Sequence, residues 1–148
     1  MEYIGIVGSG ENKFTECTKE KAVELIYEIL SDNDICLISG RSPVGGIDIW
    51  AENIADEIKI PKIIYAPKVF QWNPYGQYGY KQRNIDIAKK SNILHCIVPR
   101  VSPLNYLGMR FNYCYHHGTN DHIKSGGCWT LKQALLYGNK TVLHIIND

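Results

Sequence analysis

Strand-like and helix-like segments alternate along the chain, and this alternation restricts the possible folds more than any other feature. Apolar runs of strand length cover residues 3–7, 35–39, 62–66, 93–98 and 141–146. Between them the chain shows the pattern of amphipathic helices, with apolar residues recurring every three or four positions at 22–30, 47–58, 81–91 and 131–135. A parallel sheet with crossover helices produces this order. The sequence therefore predicts an α/β fold with a mostly parallel sheet of about five strands, in which Thr15 or Thr18 caps the first helix.

The composition agrees with one domain that covers residues 1–148. Hydrophobic residues make up 45% of the chain, and 16 basic against 15 acidic residues leave a net charge of +1. This balance excludes the broad basic surface that binds duplex nucleic acid or anionic membranes. No apolar run is long enough to span a bilayer, and Met1-Glu2 does not begin a secretory leader. We therefore expect a cytoplasmic protein, or one of the host cytoplasm if its source is viral, with neither a membrane nor nucleic acid as its partner.

Two connections, 67–80 and 99–124, are longer than is usual in such folds. Both are rich in aromatic residues and poor in charge, which argues against disorder. In the first connection, Trp72 and Tyr78 are the better candidates for stacking on a base, and most of the other rings are expected to pack within the protein or against a second subunit. The second connection, which includes Phe111, is predicted to be an insertion.

Three glycine-containing turns lie beside the predicted strands and helix starts. They are Gly8-Ser9-Gly10, residues 40–48 and Ser125-Gly126-Gly127. In an open parallel sheet such turns gather at the carboxyl ends of the strands, where helix N-termini present unpaired N–H groups to an anion. The third glycine of the dinucleotide fingerprint is missing, because Lys13 stands there, and no Walker motif occurs. Each turn alone could be a tight turn without a ligand, but together they predict a phosphate site.

Four motifs follow one another along nearly the whole chain. They are Leu37-Ile38-Ser39-Gly40, then Gly45-Gly46-Ile47-Asp48 with Ala51-Glu52, then Arg83-Asn84 with Ala88, and finally Ser125-Gly126-Gly127 with Thr130, Ala134 and Gly138. This order resembles the SLOG superfamily, which includes the DNA-processing protein A and Lonely Guy families, and residues 72–80 are most similar to its small single-domain members from microbes and viruses. The resemblance implies a Rossmann-like three-layer sandwich, a nucleotide pocket, and a homodimer or higher homo-oligomer.

The resemblance also implies how a nucleotide would be held. Its phosphate would contact the N–H and hydroxyl groups of Ser125, Gly126, Gly127 and Thr130. The same anion, or a sugar, would pair with Arg83 of the Arg83-Asn84 motif. Two turns would approach the nucleotide closely, the first formed by Gly8, Ser9 and Gly10 and the second containing Gly40, Gly45 and Gly46. Arg41 would be a second cationic contact in the latter turn.

Acidic residues near these turns are candidates for catalysis or for sugar contacts. Asp48 would cap the following helix, which is the favoured role, or accept a hydrogen bond from a ribose hydroxyl. Glu11 would contact a sugar or serve only as an acid in the first helical turn. Where the Lonely Guy phosphoribohydrolases have a Glu near the start of the helix after the second phosphate loop, this chain has Gln133, which cannot act as a general acid or base. Another turn would have to supply the carboxylate, with the candidates Glu11, Asp48, Glu52 and Asp86.

Cysteine and histidine residues cluster inside and just after the second long connection. Cys114-x-x-His117 and His122-x5-Cys128 form two short chelating pairs, which suit a tetrahedral zinc site with two thiolates and two imidazoles. His116 is an alternative to His117, and a histidine-rich loop with two unrelated buried thiols is the alternative to a metal site. Four protein ligands imply structural zinc that organises the insertion at about 99–124. The remaining thiols are predicted to be inert core residues at Cys17, Cys36 and Cys96.

The favoured function is the binding or sensing of a nucleotide or nucleotide-derived small molecule at the carboxyl edge of the sheet. The alternative is a nucleoside 5′-monophosphate N-glycosidase, so whether the protein is an enzyme stays open. Binding of single-stranded DNA ranks third, because the near-neutral chain lacks the excess of positive charge which that function normally uses.

Overall fold

The computed structural model of the protein describes residues 1–32, 34–108 and 113–148, so Phe111 lies outside the described residues. The strands are β1 (Glu2–Gly8), β2 (Ile35–Ser39), β3 (Lys62–Ile64), β4 (Ile93–Pro99) and β5 (Lys140–Ile146). The α-helices are α1 (Glu16–Ile29), α2 (Ile47–Glu57), α3 (Tyr80–Lys90) and α4 (Gly126–Leu136). A short 3₁₀ helix, Glu11–Lys13, precedes α1.

The strands form one parallel sheet in the order β3-β2-β1-β4-β5. β1 is central, and its Gly5 lies opposite Ile38 of β2 on one side and Leu94 of β4 on the other. The chain moves outward from β1 to β3 and then returns to β4 on the other side, so the strand order reverses between β1 and β4. In open α/β sheets the crevice at such a reversal, outside the carboxyl ends of the strands, is the usual ligand site.

Two hydrophobic clusters lie on opposite faces of the sheet. One joins Ile4 and Ile6 of β1 to α1 and α2, through buried residues such as Ile26 and Ala51. The other joins the neighbouring Val7 to α3 and α4, whose buried residues include Ile87, Ala88, Leu131 and Ala134. Successive residues of a strand point to opposite faces, and therefore a nearly continuous apolar strand serves both clusters. The predicted α/β three-layer sandwich with five parallel strands is confirmed.

Local signals account for the helix boundaries. The hydroxyl of Thr15 accepts from the N–H of Thr18 at 3.0 Å, and the hydroxyl of Thr18 accepts from the N–H of Thr15 at 2.8 Å, so both predicted residues cap α1. Gly138 follows α4 with a φ of +81°, which glycine adopts without strain. No helix within the described residues combines the length and apolar character needed to cross a membrane.

Both long connections lie at the carboxyl edge of the sheet. The first joins the end of β3 to the start of α3, and the second joins the end of β4 to the start of α4. Both connections thus begin at the edge of the sheet where the strands end, and their described residues can contribute side chains to a site there.

Candidate functional site

A cavity of about 300 Å³ opens at the carboxyl ends of β1 and β4, between the starts of α2, α3 and α4. It is lined by Val7, Gly8, Ser9, Gly10, Asn12, Lys13, Ser42, Val44, Asp48, Arg83, Asn84, Ile87, Tyr106, Ser125, Gly126, Gly127 and Thr130. The structure thus brings the first glycine turn, the Arg83-Asn84 motif and the Ser125–Thr130 motif together around one space.

The N-terminus of α4 forms one wall of this cavity. The Ser125 hydroxyl caps the helix by accepting from the N–H of Cys128 at 3.3 Å, and the Thr130 hydroxyl donates to the carbonyl of Gly126 at 3.0 Å. These two hydroxyls therefore serve the helix itself, whereas N–H groups at the start of a helix lack an intrahelical acceptor and can bind an anion. A Cβ placed on Gly126 would meet nothing within 4 Å, while one on Gly127 would lie 2.9 Å from the backbone nitrogen of Gly8.

Arg83 is a buried cation on the opposite wall. Its Nη1 donates to the carbonyl of Gly40 at 2.7 Å and lies 3.9 Å from Oδ2 of Asp48. A Cβ on Gly40 would stand 2.6 Å from that Nη1, so a glycine is required there for the arginine to approach. Within the described residues, Arg83 Nε and the hydroxyl of Ser9 are buried without a hydrogen-bond partner, although both residues line the cavity. Buried polar atoms are normally paired, so this pair indicates a missing polar ligand.

Asp48 also lines the cavity, and it does not cap α2. The cap position is Gly46, which makes no side-chain bond, whereas Oδ2 of Asp48 accepts from the N–H of Ser42 at 3.1 Å. The predicted capping role is therefore wrong, because the carboxylate points to the preceding loop. Burial raises the pKa of Asp48 to about 6, although the charge of Arg83 opposes this shift, and the carboxylate of Glu52 adds to it.

In the described residues, none of the other three candidate carboxylates, Glu11, Glu52 and Asp86, lines the cavity, and Asp86 instead accepts from the hydroxyl of Tyr78. Glu52 is buried and accepts from the hydroxyl of Ser39 at 2.8 Å and from the backbone N–H and Nε of Arg41 at 2.9 and 3.1 Å. It thus holds the loop after β2, in which Arg41 has a φ of +45°. Glu11 is exposed, 3.7 Å from the ammonium of Lys19. In the part of the chain that the structure describes, Arg41, Glu52 and Glu11 do not line the cavity.

The glycines of the turn before α2, Gly40, Gly45 and Gly46, support the cavity, which the structure shows lined by other residues of that turn such as Ser42 and Val44. Gly45 and Gly46 have φ values of +73° and +83°, and a Cβ on Gly46 would lie 2.4 Å from the carbonyl oxygen of Ser9. That carbonyl accepts from the N–H of Ile47 at 3.3 Å. The turn after β2 therefore packs directly on the turn after β1, which only glycine permits at this distance.

Several lining residues were not predicted from the sequence. Lys13 donates to the carbonyl of Lys124 at 3.2 Å, and burial lowers its pKa. Lys13 stands where the dinucleotide fingerprint has its third glycine, and this replacement places a cation at the cavity wall. Asn12 of the short 3₁₀ helix, Ser42 of the turn after β2 and Tyr106 of the second long connection carry no residue-specific signal, and tertiary packing brings them to the cavity.

An aromatic annex adjoins the cavity, with a volume of about 290 Å³ and with Trp72, Tyr80 and Pro43 in its wall beside Val44 and Gly126. Trp72 makes an edge contact with Trp129, with ring centroids 4.8 Å apart. Tyr78, the other predicted stacking residue, instead donates its hydroxyl to Asp86, and burial raises the pKa of that hydroxyl. Phe70 stacks on Tyr80 of α3 but stays 64% exposed, so this ring is not packed inside the protein.

The cysteine and histidine residues form a cluster that could hold a metal ion. The ligand atoms of Cys114, His117, His122 and Cys128 lie within 4.8 Å of one another. Cys114 Sγ is 3.4 Å from Nδ1 of His117, and Cys128 Sγ is 3.7 Å from Nε2 of His122. Zinc bonds of about 2.3 Å to sulfur and about 2.0 Å to nitrogen at a tetrahedral angle give a sulfur–nitrogen edge of roughly 3.6 Å. These distances therefore suit tetrahedral coordination, with His117 rather than His116 in the cluster.

The surroundings of the cluster also suit a metal. Nδ1 of His122 lies 2.8 Å from the carboxylate of Asp121, the outer partner that orients metal-binding histidines. Hydrogen bonds, first from the thiol of Cys96 and then from Ser125, lower the pKa of Cys128, and the thiolate is the form that binds metal. Among the cysteines predicted to be core thiols, Cys36 and Cys96 are buried, but Cys17 is exposed on α1.

Comparison with known proteins identifies a solved structure with a similar fold. No family model and no curated protein matches this sequence. The solved structure of the molybdenum cofactor carrier protein MCP from Chlamydomonas reinhardtii superposes with a TM-score of 0.61, covering 96% of this chain and 75% of that one at 18% identity. At this identity the likeness concerns the fold alone. The chain therefore has a Rossmann-like α/β fold.

Proposed function

We propose that this protein binds a nucleotide or a nucleotide-derived small molecule and retains it without turnover. The observation that carries the proposal is the pair of buried, unpartnered polar atoms, Arg83 Nε and Ser9 Oγ, on residues that line a cavity at the N-terminus of α4. A phosphate in the cavity would lie among these two residues and the first N–H groups of the helix, and its charge would be favoured by Arg83 and by the helix dipole.

The annex supports a ligand with an aromatic ring beside its phosphate. It shares Arg83, Asn84 and Gly126 with the anion cavity, so one molecule could extend from the helix start to Trp72. A base would stack or pack there on aromatic side chains. The fold neighbour is named a cofactor carrier, which agrees with retention of a small molecule rather than its conversion. We propose on the motif order that the chain is a single-domain SLOG protein.

Gly126→Asp provides the sharpest test of the anion site. An aspartate in the first turn favours the helix dipole, and the open space at this position accommodates a side chain, so the variant should fold. Its negative charge should repel a phosphate and weaken binding at least tenfold, whereas the matched Gly126→Asn variant should retain more of the affinity. Binding of each nucleoside monophosphate is measured by calorimetry, with thermal unfolding as the control for folding.

The outcomes are distinct. Binding that disappears in Gly126→Asp but persists in Gly126→Asn supports the anion site at α4. Equal affinity for both variants places the phosphate elsewhere and contradicts the proposal. A wild-type protein that binds none of a panel of mononucleotides and dinucleotides also contradicts it.

An N-glycosidase is the second candidate, and Asp48 is the observation that favours it. A carboxyl group with a pKa of about 6 inside the cavity can donate a proton near neutral pH, as a general acid must. Incubation with nucleoside monophosphates, followed by chromatography, tests this role. Free base released by the wild type but not by Asp48→Asn would establish the hydrolase and contradict retention without turnover. Binding of single-stranded DNA, a homodimer and a cytoplasmic location stay predictions.

We also propose that Cys114, His117, His122 and Cys128 hold a structural zinc ion. Two thiolates and two imidazoles at tetrahedral spacing are the donor set that zinc prefers, and four protein ligands leave no position for substrate. Protein purified without chelator should contain about one zinc per chain by elemental analysis. A content of much less than one zinc per chain, with no zinc uptake on titration, would contradict this assignment.

A further inference from the structure

We infer that metal binding at the Cys/His cluster and anion binding at the start of α4 are coupled, so that each increases the affinity of the other. This inference rests on the proposed function, because it concerns the regulation of the same anion site. The metal ligand Cys128 and the cavity-lining Gly126 and Gly127 belong to the first turn of α4. A metal that fixes this turn also fixes the donors that would hold the anion.

Cys128 provides the first connection between the two sites. Its sulfur belongs to the metal cluster, while its backbone N–H donates at 3.3 Å to the hydroxyl of Ser125, the cap of the helix. That hydroxyl also lies 3.6 Å from the sulfur of Cys128. Ser125, Gly126 and Gly127 all line the anion cavity. Displacement of the sulfur therefore changes both the cap and the position of the anion donors.

The segment just before α4 provides the second connection. His122 is fully buried in the metal cluster, and the next residue, Ile123, donates its N–H to the carbonyl of Pro99 at 3.3 Å. The carbonyl of Lys124 accepts from the ammonium of Lys13 at 3.2 Å, and Lys13 lines the cavity. A shift of His122 would therefore move the backbone at Lys124 and, through its carbonyl, the ammonium of Lys13 in the anion cavity.

The remaining ligands come from a separate turn of the insertion. Cys114 donates its N–H to the carbonyl of Thr119 at 2.9 Å, and its own carbonyl accepts from Gly118 at 2.7 Å, so this turn is closed on itself. In the described ranges, no backbone hydrogen bond joins the turn to α4. A metal bound by Cys114, His117 and Cys128 would therefore cross-link the turn to the helix, and removal of the metal would release that restraint.

Thermodynamic linkage makes the coupling measurable from both sides. If the metal tightens anion binding by some factor, the anion must tighten metal binding by the same factor. Couplings between protein sites typically change affinity by about 5- to 150-fold. We expect the metal to tighten sulfate binding by at least about fivefold, because ordering of the turn is then completed before the anion binds.

Sulfate is the probe of choice, since its charge does not change near neutral pH and it does not precipitate zinc. Its affinity is measured on the full chain by following the backbone amide resonances of Gly126 and Gly127 during titration, with and without zinc. The expected result is a dissociation constant at least about fivefold lower in the zinc-loaded protein. Sulfate binding with equal affinity in both forms would overturn the inference while leaving the proposed function intact. Zinc-loaded protein with no sulfate response at either glycine would contradict the proposed function itself.

The reciprocal experiment avoids dependence on a folded metal-free form. The zinc affinity of the wild type is measured by competition with a chelating dye, with and without saturating sulfate. We expect sulfate to tighten zinc binding by the same factor and to lose this effect in Gly126→Asp, whereas Gly126→Asn retains part of it. A zinc affinity that does not change with sulfate, in protein shown to bind sulfate, would refute the coupling.

Discussion

Asp48 and Arg83 form a buried pair whose net charge depends on pH. The carboxylate and guanidinium are 3.9 Å apart, and their side chains are only 9% and 10% exposed. Because burial raises the pKa of Asp48 to about 6, this pair is neutral overall above that pH and becomes cationic below it. An anion in the cavity would meet the full charge of Arg83 only when Asp48 is protonated.

Sulfate binding should therefore strengthen as the pH falls through about 6, the pKa of Asp48. Sulfate remains a dianion throughout, so the change reports on the protein and not on the ligand. Asp48→Asn should bind sulfate more tightly than the wild type at pH 8 and should show a flatter profile. Calorimetric titration between pH 5 and 8 checks this. A variant with the same pH profile as the wild type would show that Asp48 does not control the site.

The same carboxyl group should influence folding in a defined pH range. Its folded pKa of about 6 exceeds the ordinary value of 3.8, so its contribution to stability is fully present below pH 3.8 and is lost as the pH rises through about 6. For Asp48→Asn the free energy of unfolding should not fall over this pH range, because the introduced amide does not ionise. Its oxygen can still accept the hydrogen bond from the N–H of Ser42. Urea unfolding of both proteins at several pH values between 4 and 7 gives the difference, and parallel curves would contradict it.

At the scale of elements, the two capped helices differ in what their caps support. Thr15 caps α1 in a reciprocal capping box, away from the cavity wall described above. Ser125 caps α4, whose first turn lines the cavity and carries Cys128 of the Cys/His cluster. Loss of the cap of α1 should therefore affect only stability, whereas loss of the cap of α4 should affect both stability and the site.

Thr15→Ala and Ser125→Ala should each reduce the free energy of unfolding by about 0.5–2 kcal/mol, the usual effect of removing a cap. Only Ser125→Ala should also weaken sulfate binding, because it loosens the turn that presents Gly126 and Gly127. Urea unfolding and sulfate titration of the two variants at one pH measure both effects. Equal loss of sulfate affinity in Thr15→Ala would mean that overall stability, and not the cap of α4, determines binding.

For the whole molecule, the Cys/His cluster connects two parts of the chain, the turn at Cys114 and the start of α4, between which the described residues form no backbone hydrogen bond. The second long connection links β4 to α4 across the edge of the sheet, and the cluster ties its turn at Cys114 to the start of that helix. A ligand that binds only the folded state stabilises it in proportion to the logarithm of its concentration over its dissociation constant. Removal of zinc should therefore destabilise the entire fold.

Chelation should lower the melting temperature of the protein. Zinc held at a thousand times its dissociation constant stabilises a fold by about 4 kcal/mol, and about 1 kcal/mol corresponds to roughly 2–4 °C in a domain of this size. We therefore expect a fall of roughly 8–16 °C on addition of a strong chelator, reversed by added zinc. Differential scanning calorimetry measures the shift, and an unchanged melting temperature in protein shown to contain zinc would contradict a structural role.

The order of strands and helices, the capping residues of α1 and the spacing of the Cys/His cluster could all be predicted from the sequence. These features depend on residues a few positions apart, such as Thr15 and Thr18, or Cys114 and His117, whose relation is set by local backbone geometry. Gathering of the glycine turns at one edge was also predictable, since every parallel strand ends there.

Which polar residues line the cavity, and whether a carboxyl group among them is protonated, depends on the tertiary structure. Asp48 and Glu52 lie four positions apart on α2, yet Asp48 lines the cavity while Glu52 holds Arg41. Lys13 reaches the cavity from the short 3₁₀ helix and Tyr106 from the second long connection, and neither segment has a periodic signal. The reason is physical: burial, pairing and the resulting pKa depend on groups distant in the chain, such as Arg83 beside Asp48, which no local pattern can specify.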